Sequence, residues 1–286
     1  MKFGITPINF DAIDADLDLR NLKFPLLVEK AINAGFKHLE ITMDLEYVLP
    51  TSLSKRIIKK LLKIKNDNSG ISYSVHLPLW STELAGPNVR IRDASVQCMV
   101  ECIERTKMLD PVAYVLHLTG SLAAEFSRIK KIPLEFKNAL TNVMNGFASE
   151  SIQKILKKVD VAPEKIAVEN IEFPFEATRK IIDKYDLSIC YDTGHLICGY
   201  DYTGLSVQEF FEKHMDRIIE IHLNDGHIVD GRPDDHIAIG DGSFPIDAIG
   251  LFRDKGFNGP LVFELTFKDA LKSVKIIKDN YPDLKI

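Results

Sequence analysis

The sequence predicts an α/β fold and, within that class, a single (β/α)8 barrel. Eight short runs rich in β-branched residues alternate with eight longer segments of helical period. The chain has 286 residues with 45% hydrophobic content, which is enough to fill the core of one barrel of roughly 250 residues. An open, doubly wound sheet usually stops near about five or six strands, so the repeat favours a closed barrel.

The predicted elements follow one another along the whole chain. The predicted strands are 2–6, 38–42, 72–77, 113–118, 165–170, 187–192, 217–223 and 261–266. The predicted helices are 24–34, 53–65, 94–109, 134–158, 175–184, 207–213, 245–255 and 268–279. No linker or low-complexity tract divides them, so we expect one domain over residues 1–286. The segment 224–244 after the seventh strand is long for a connection, which favours a functional loop.

The overall composition indicates neither a nucleic-acid partner nor a membrane partner. Lys and Arg number 36 against 41 Asp and Glu, a net charge of −5, although a local basic stripe can bind phosphates on an acidic protein. The N-terminus has no basic leader followed by an apolar run, and no apolar stretch reaches the ~20 residues of a membrane span. We therefore expect a cytoplasmic protein.

Two further features have structural interpretations. Cys98, Cys102, Cys190 and Cys198 contain no CxxC pair, so we expect buried free thiols. The segment 55–65 alternates basic and apolar residues at helical spacing, which is typical of the solvated face of an outer helix.

Imidazole and carboxylate side chains recur at the carboxyl ends of the predicted strands. Strands three to eight each end at or beside one of them: His76, His117, Glu169, Asp192, His222 and Glu264. These ends converge on one face of a barrel, where the active site lies, while apolar layers fill the interior. Imidazoles and carboxylates are ligands of Zn, Mn and Fe, and a bound metal makes charges tolerable at the mouth of an apolar core. The pattern predicts a metal site at this face.

Three more candidate ligands fall on the same face. His195 follows Asp192 by three residues, and Asp234 and His236 lie in the long loop after the seventh strand. Each short spacing alone is weak, because such pairs are common. Beside the six strand-end residues, they indicate a multinuclear site.

Three segments resemble the endonuclease IV and xylose isomerase-like barrel superfamily, also called AP endonuclease family 2. They are 75–78 (VHLP), 191–195 (YDTGH) with 199–201 (GYD), and 222–225 (HLND) with 234–242 (DDHIAIGDG). The last two are specific, the first is looser, and the likeness covers essentially the whole chain.

The resemblance implies two or three divalent metal ions, zinc first, with manganese and iron as alternatives. The first ion would be held by His76, His117 and Glu169. Glu169 would bridge to a second ion completed by Asp192, His222 and Glu264. A third would be held by His195, Asp234 and His236. Such clusters suit phosphoester hydrolysis, because the metals generate hydroxide near neutral pH and stabilise the charged oxygens.

Roles for single residues follow partly from the resemblance and partly from side-chain chemistry. Glu169 would position the attacking water, and Glu264 and His117 are the other candidate catalytic residues. The third metal would face the leaving group. Arg90, Arg92 and Arg232 are candidate phosphate clamps, because a guanidinium binds phosphate oxygens in bidentate fashion. The candidate substrate-binding residues are Trp80, Asn170, Asn224 and Arg232.

Two segments depart from the endonuclease pattern. After Glu169 and Asn170 the chain continues with bulky and acidic residues, 171–175, where the repair enzymes have a small, Gly-rich stretch. The segment after His76 does not match their DNA-penetrating loop. These departures favour a small nucleotide-like phosphodiester over abasic DNA. Cobamide-remodelling phosphodiesterases belong to the same superfamily, and Tyr47, Trp80 and Phe173 would supply an apolar wall for a large ring.

Two other classes of function remain open. A sugar isomerase or epimerase needs one metal, held by Glu169, Asp192, His222 and Glu264, with carboxylates transferring protons beside it. It leaves the remaining five candidate ligands without a role. A non-catalytic barrel is the third class, but buried ligand clusters cost stability without a metal. The number of metal ions bound per chain distinguishes these three classes of function.

Overall fold

The computed structural model describes residues 1–8, 22–129 and 131–284, and eight of its strands close into one parallel barrel. In chain order the strands are β1 (Lys2–Ile5), β2 (His38–Thr42), β3 (Ser72–His76), β4 (Tyr114–Leu116), β5 (Ile166–Glu169), β6 (Ser188–Asp192), β7 (Ile218–His222), β8 (Asp225–Val229), β9 (Arg232–Ile237) and β10 (Pro260–Phe263). The barrel runs from β1 through β7 to β10, which pairs with β1. The predicted (β/α)8 fold is confirmed, and each predicted strand overlaps one barrel strand.

Helices surround the barrel. They are α1 (Phe24–Asn33), α2 (Leu45–Val48), α3 (Lys55–Asp67), α4 (Val89–Thr106), α5 (Ser121–Arg128), α6 (Leu134–Leu156), α7 (Phe175–Tyr185), α8 (Thr193–Ile197), α9 (Val207–His214), α10 (Asp247–Asp254) and α11 (Phe267–Asn280). The predicted helices all overlap members of this set, whereas the short α2, α5 and α8 were not predicted. In the described residues no helix is long and apolar enough to cross a bilayer.

Local sequence explains where the outer helices lie. In α3, Ile58, Leu61 and Ile64 are buried while the lysines between them are exposed, so the basic segment is a solvated face as predicted. Helix α4 begins five residues before its predicted start, because the side chain of Asn88 accepts a hydrogen bond from Arg90 N at 3.0 Å. Three of the four free cysteines are buried, but Cys98 on α4 is only partly buried.

The barrel interior departs from the expected apolar filling. Thr6, His38, Glu40, Ser74 and Glu220 are buried there, and we call these five residues the interior layer. The hydroxyl of Ser74 on β3 donates to Glu220 Oε1 on β7 at 2.7 Å, across the barrel. His38 Nε2 lies 2.9 Å from the same hydroxyl. Polar side chains are accommodated here because they hydrogen-bond one another.

The long segment after β7 is an ordered loop built around an antiparallel hairpin, β8 and β9. The carboxylate of Asp225, at the start of β8, fixes the backbone of the segment that follows β9. The carboxylate of Asp225 accepts hydrogen bonds from the backbone N–H groups of Gly226, Gly240, Gly242 and Phe244 at 2.7–3.0 Å. A Cβ on Gly242 would lie 2.4 Å from Gly226 O, so the close approach requires glycine. The loop is thereby folded back over the mouth of the barrel.

Candidate metal centre

The six strand-end candidates come together at the carboxyl end of the barrel. Four of them are the last residues of β3, β5, β6 and β7, and His117 and Glu264 directly follow β4 and β10. All six are buried except His117, whose side chain is 21% exposed, and the side chain of the buried Glu264 is 11% exposed. Parallel strands carry their side chains to one level at this end of the barrel, which is why residues far apart in sequence meet.

Glu169 lies at the centre of the cluster and uses its two oxygens differently. Its Oε2 lies 3.3 Å from His76 Nε2 and 3.0 Å from His117 Nε2. Its Oε1 lies 3.3 Å from His195 Nδ1 and 3.5 Å from His222 Nδ1. One carboxylate therefore faces two separate pairs of imidazoles. This is the geometry of a group able to bridge two cations.

A second group of ligands surrounds the other oxygen of this carboxylate. Glu169, Asp192, His222 and Glu264 offer one donor atom each, all within 4.8 Å of one another. His222 Nδ1 lies 3.0 Å from Glu264 Oε2. One buried amide fixes the acids: Asn224 donates to Asp192 Oδ2 at 2.8 Å and accepts from Glu264 N at 3.1 Å.

The one-turn helix α8 brings a further imidazole to the site. Asp192 caps this helix by accepting a hydrogen bond from His195 N at 2.7 Å, so the three-residue spacing turns His195 back towards Glu169. Gly194 permits the tight fit, because a Cβ there would lie 3.1 Å from Asp225 O. Asp192, His195 and His236 form a third group whose donor atoms lie within 4.8 Å of one another.

Asp234 is not brought to this third group. Its side chain is 64% exposed and lies 3.3 Å from His227 Nε2. The neighbouring Asp235 points to the site instead, with Oδ2 3.4 Å from His195 Nε2 and 3.5 Å from His236 Nδ1. Successive side chains on a strand point to opposite faces, so on β9 only one of the two adjacent aspartates can face the barrel. The structure therefore places Asp235, and not the predicted Asp234, beside His195 and His236.

The electrostatics of the cluster are strongly coupled. Burial disfavours an imidazolium, but the hydrogen bond to Glu169 and the nearby carboxylates outweigh it and raise the pKa of His76 to about 10. In the same way, Asp192 and Glu169 overcome burial and raise the pKa of His195 to about 9. Burial also opposes ionisation of Glu169, yet His117 and His222 hold the pKa of this carboxyl well below its usual range. Each buried charge is therefore stabilised by the opposite charges beside it.

The donor set fits divalent metals. Zinc takes imidazole and carboxylate donors at ~2.0–2.2 Å, so donor atoms around one ion lie roughly 3–4 Å apart. The separations of 3.0–3.5 Å about Glu169 lie in this range. Within the described chain, Nδ1 of His222 is buried and has no hydrogen-bond partner. A metal ion would provide the partner that this nitrogen lacks.

Comparison with known proteins places the chain in a family. Residues 28–280 match the model of the xylose isomerase-like TIM barrel. The chain belongs to this family. An uncharacterized protein of Methanocaldococcus jannaschii, MJ1311, is 26% identical over 298 aligned residues, covering 98% of this chain and 89% of its own length.

Solved structures share the fold of this family member. A D-tagatose 3-epimerase-like protein superposes with a TM-score of 0.72 and 23% identity, covering 98% of this chain and 96% of its own. Endonuclease IV from Thermus thermophilus superposes with a TM-score of 0.68 and 16% identity, covering 99% of this chain and 100% of its own. The xylose isomerase-like barrel is thus common to an endonuclease and to epimerase-like proteins.

The four predicted substrate-binding residues have different outcomes in this barrel. Trp80 lies beside His117 in a cleft of about 500 Å³ at the mouth, where it can contact a substrate. Asn170 is buried and exchanges two hydrogen bonds with the backbone of Asp192, at 2.9 and 2.7 Å. Asn224 is likewise committed to Asp192 and Glu264. Both amides therefore position ligands rather than substrate. Arg232 is exposed at the distal end of the hairpin, away from the cleft residues.

The remaining cleft predictions are also corrected. Phe173 is buried in the core and Tyr47 hydrogen-bonds Cys98 Sγ at 2.8 Å, so neither joins Trp80 in the cleft. Arg92 is committed to the backbone carbonyls of Gly86 and Pro87 at 2.8 and 3.0 Å. The cleft contains instead Tyr200 and an ion pair between Arg128 and Glu172.

Three residues near the centre were missed from the sequence: Asp235, Glu40 and Glu220. Asp235 directly follows the predicted ligand Asp234, and the alternation of side chains along β9 alone decides which of the two faces the site. Glu40 and Glu220 lie two residues from Thr42 and His222 on β2 and β7, so the period of two places them on the inward faces. That period was a usable signal, but it was outweighed by the expectation of an apolar interior.

Proposed function

We propose that this protein is a divalent-metal-dependent hydrolase that cleaves a phosphodiester at a multinuclear centre. The proposal is based on the carboxylate of Glu169, whose two oxygens face different pairs of histidines. Its Oε2 faces His76 and His117, and its Oε1 faces His195 and His222. A single-metal site needs only one of these two sides. Conversely, a carboxylate that bridges two ions is expected in enzymes that clamp both oxygens of an in-line phosphoryl displacement.

The proposed ligands follow from the three groups of donors. One ion would be held by His76, His117 and Glu169, and a second by Glu169, Asp192, His222 and Glu264. His195 and His236 would hold a third with Asp192, and Asp235 lies against the other nitrogen of both rings. Zinc fits this mixture best, with manganese and iron as alternatives. Such ions lower the pKa of a bound water and neutralise phosphate oxygens.

The chain's own residues would complete the reaction. Glu169 would orient the attacking water, because its carboxylate lies between the first and the second ligand sets. His117, which is less buried than its neighbours, faces the cleft and is placed to contact a phosphate oxygen. Glu264, 3.2 Å from His236 on the opposite side, would contribute to catalysis by holding the second ion as a carboxylate.

The cleft favours a small substrate over duplex DNA. It is lined by Trp80, Tyr200 and His117, with one arginine, Arg128, whose charge is neutralised by Glu172. Duplex binding depends on several Lys or Arg contacts to phosphates, which this lining does not supply. Aromatic walls suit a ring attached to the phosphodiester. We propose a nucleotide-like small molecule, with the phosphoribosyl nucleotide loop of a cobamide as the specific candidate.

The function is tested with three substrates on zinc-loaded protein: bis(4-nitrophenyl) phosphate, a cobamide, and a duplex with an abasic site. We expect cleavage of the first two. Glu169→Gln should lower the rate by roughly 100- to 10,000-fold, because the group that orients the water is lost. Glu176→Gln, the same change on the exposed face of α7, should leave the rate unchanged. Cleavage of the duplex alone would redirect the proposal to DNA repair.

A second candidate is a single-metal sugar epimerase. The observation in its favour is that Glu169, Asp192, His222 and Glu264 form a complete four-donor set by themselves. The likeness to a D-tagatose 3-epimerase-like protein shows only the fold. One metal per chain, together with turnover of an unphosphorylated ketose, would favour this candidate over hydrolysis.

A further inference from the structure

We propose that Glu40 is a positioning residue of the metal centre, which holds the imidazole of His222 so that its Nδ1 faces the ligands. The two residues meet inside the barrel from β2 and β7. His222 Nε2 lies 3.3 Å from Glu40 Oε2, and both side chains are fully buried. The opposite nitrogen, Nδ1, lies 3.0 Å from Glu264 Oε2. The inference rests on the proposed metal centre but not on the reaction.

The contact with Glu40 selects the tautomer of His222. A carboxylate oxygen accepts hydrogen bonds, so the Nε2–H of His222 donates to Glu40, and Nδ1 is the nitrogen left to face the proposed metal. Among the described residues, Nδ1 has no hydrogen-bond partner, although it is surrounded by carboxylate oxygens of Glu169 and Glu264. With a cation between Nδ1 and these oxygens, His222 would bind it as the neutral imidazole, and Glu40 would keep the remaining ring proton on Nε2.

Glu40 is itself held in place from neighbouring strands. The hydroxyl of Thr6 donates to Glu40 Oε1 at 3.1 Å, and the hydroxyl of Ser74 lies 3.4 Å from Oε2. The carboxylate therefore reaches His222 from a fixed direction. Such carboxylate–histidine–metal arrangements raise the basicity of the ligand and fix the orientation of its ring.

Glu220 provides a matched control in the same layer. It is equally buried and lies two residues before His222 on β7, but its Oε1 is bound by Ser74 at 2.7 Å. The hydrogen bond from His222 runs to Glu40 and not to Glu220. A role that required only a buried acid near the centre would be shared by both glutamates, whereas a positioning role belongs to Glu40 alone.

The test compares Glu40→Leu, Glu40→Gln and Glu220→Gln by zinc titration against a competing chelator. We expect Glu40→Leu to weaken one zinc equivalent about 10- to 100-fold while the others are unchanged. Glu40→Gln keeps an acceptor and should lose less, and Glu220→Gln should stay within about twofold of wild type. Equal losses in Glu40→Leu and Glu220→Gln, or none in Glu40→Leu, would overturn the proposal. None of these outcomes depends on phosphodiester cleavage.

A second measurement on the wild-type chain guards against variants that do not fold. Long-range ¹H–¹⁵N spectra of histidine-labelled protein, with His222 assigned through His222→Gln, report which ring nitrogen carries the proton. We expect a proton on Nε2 in both metal-free and zinc-loaded protein, and a zinc-dependent shift at Nδ1 alone. An unprotonated Nε2 would overturn the assignment of Glu40, whatever the protein's activity.

Discussion

The rim of the barrel and the interior layer beneath it contain the same side-chain types, but their partners differ. In the interior layer, hydroxyls satisfy the acids: Ser74 donates to Glu220 and Thr6 to Glu40. At the rim, the oxygens of Glu169 face imidazole nitrogens on both sides. The interior acids draw mainly on neutral hydroxyl donors, although Glu220 Oε2 has no hydrogen-bond partner among the described residues. The rim acids are surrounded by histidines and form a set that a cation can complete.

The histidines of the two regions show the same contrast. Burial, together with the charges of Lys2 and His222, lowers the pKa of His38 in the interior layer to about 3. At the rim, the carboxylates around His76 raise its pKa to about 10 despite complete burial. The environment, and not the residue type, decides whether a buried imidazole is a structural hydrogen-bonding group or a candidate ligand.

The largest expected effect is that of metal on stability. Zinc at about 1,000 times its Kd should raise the free energy of unfolding by ~4 kcal/mol, because it binds the folded chain alone. Denaturant unfolding with zinc and with chelator measures the difference. Substitutions in the interior layer that leave Glu40 intact should not change this increase in the free energy of unfolding. If the wild-type protein unfolds identically with zinc and with chelator, a metal centre at the rim is contradicted.

The next effect separates two adjacent aspartates. Asp235→Asn should weaken zinc binding about 10- to 100-fold, because Asp235 lies against both His195 and His236. Asp234→Asn is the matched change on the opposite face of β9 and should alter binding by less than about twofold. Chelator competition compares them. A larger loss in Asp234→Asn would restore the ligand set predicted from the sequence.

A pH effect of intermediate size is expected from the interior layer. His38 stays neutral in the folded chain, where it faces Ser72, Ser74, Lys2, Glu220 and His222. The unfolded chain binds a proton near pH 6.5, so His38 contributes stability that is present above this pH and is lost as the pH falls towards 3. At pH 5 the loss is ~2 kcal/mol.

Chemical denaturation of metal-free protein between pH 7 and pH 5 tests this effect. His38→Gln removes the titrating group and keeps polar atoms of similar reach, so its stability should fall less over the same range. Parallel losses in wild type and variant would assign the pH dependence to the rim instead.

The smallest expected effect is the loss of one interior hydroxyl. Ser74→Ala removes the donor to Glu220 Oε1 and should lower the free energy of unfolding by about 1–2 kcal/mol. The strong hydrogen bond of Ser74 runs to Glu220, and its contact with Glu40 is long at 3.4 Å, so most of the loss should be the same with and without zinc. A loss seen only in the zinc-loaded protein would mean that the two regions are not separable in this way.

The fold could be predicted because its signal repeats. Each strand is a β-branched run followed by a helix of clear period, and the carboxyl ends of strands are always on one face of a barrel. The positions of His76, Glu169, Asp192 and His222 followed from that rule. The short helices α2, α5 and α8 did not, because four to eight residues provide too little periodicity.

The rest of the site depended on contacts that sequence does not carry. The choice between Asp234 and Asp235 depends on which face of β9 points to the barrel, and the sequence of β9, RPDDHI, has no alternation of polar and apolar residues to show it. Asn170 and Asn224 each lie near predicted ligands in sequence. Only the structure shows that their amides hydrogen-bond Asp192 and Glu264 and do not face a substrate. The period of two places Glu40 on the inward face of β2, but the sequence does not show its contact with His222, which lies 182 residues away.

The most direct test of the central inference, that Glu169 bridges two metal ions, is the zinc content per chain of wild type and of Glu169→Gln. We predict two or three equivalents in the wild type by mass spectrometry and fewer in the variant, with tight zinc lost from both sides of the carboxylate. One equivalent in the wild type, or an unchanged content in the variant, would contradict a bridging role for Glu169.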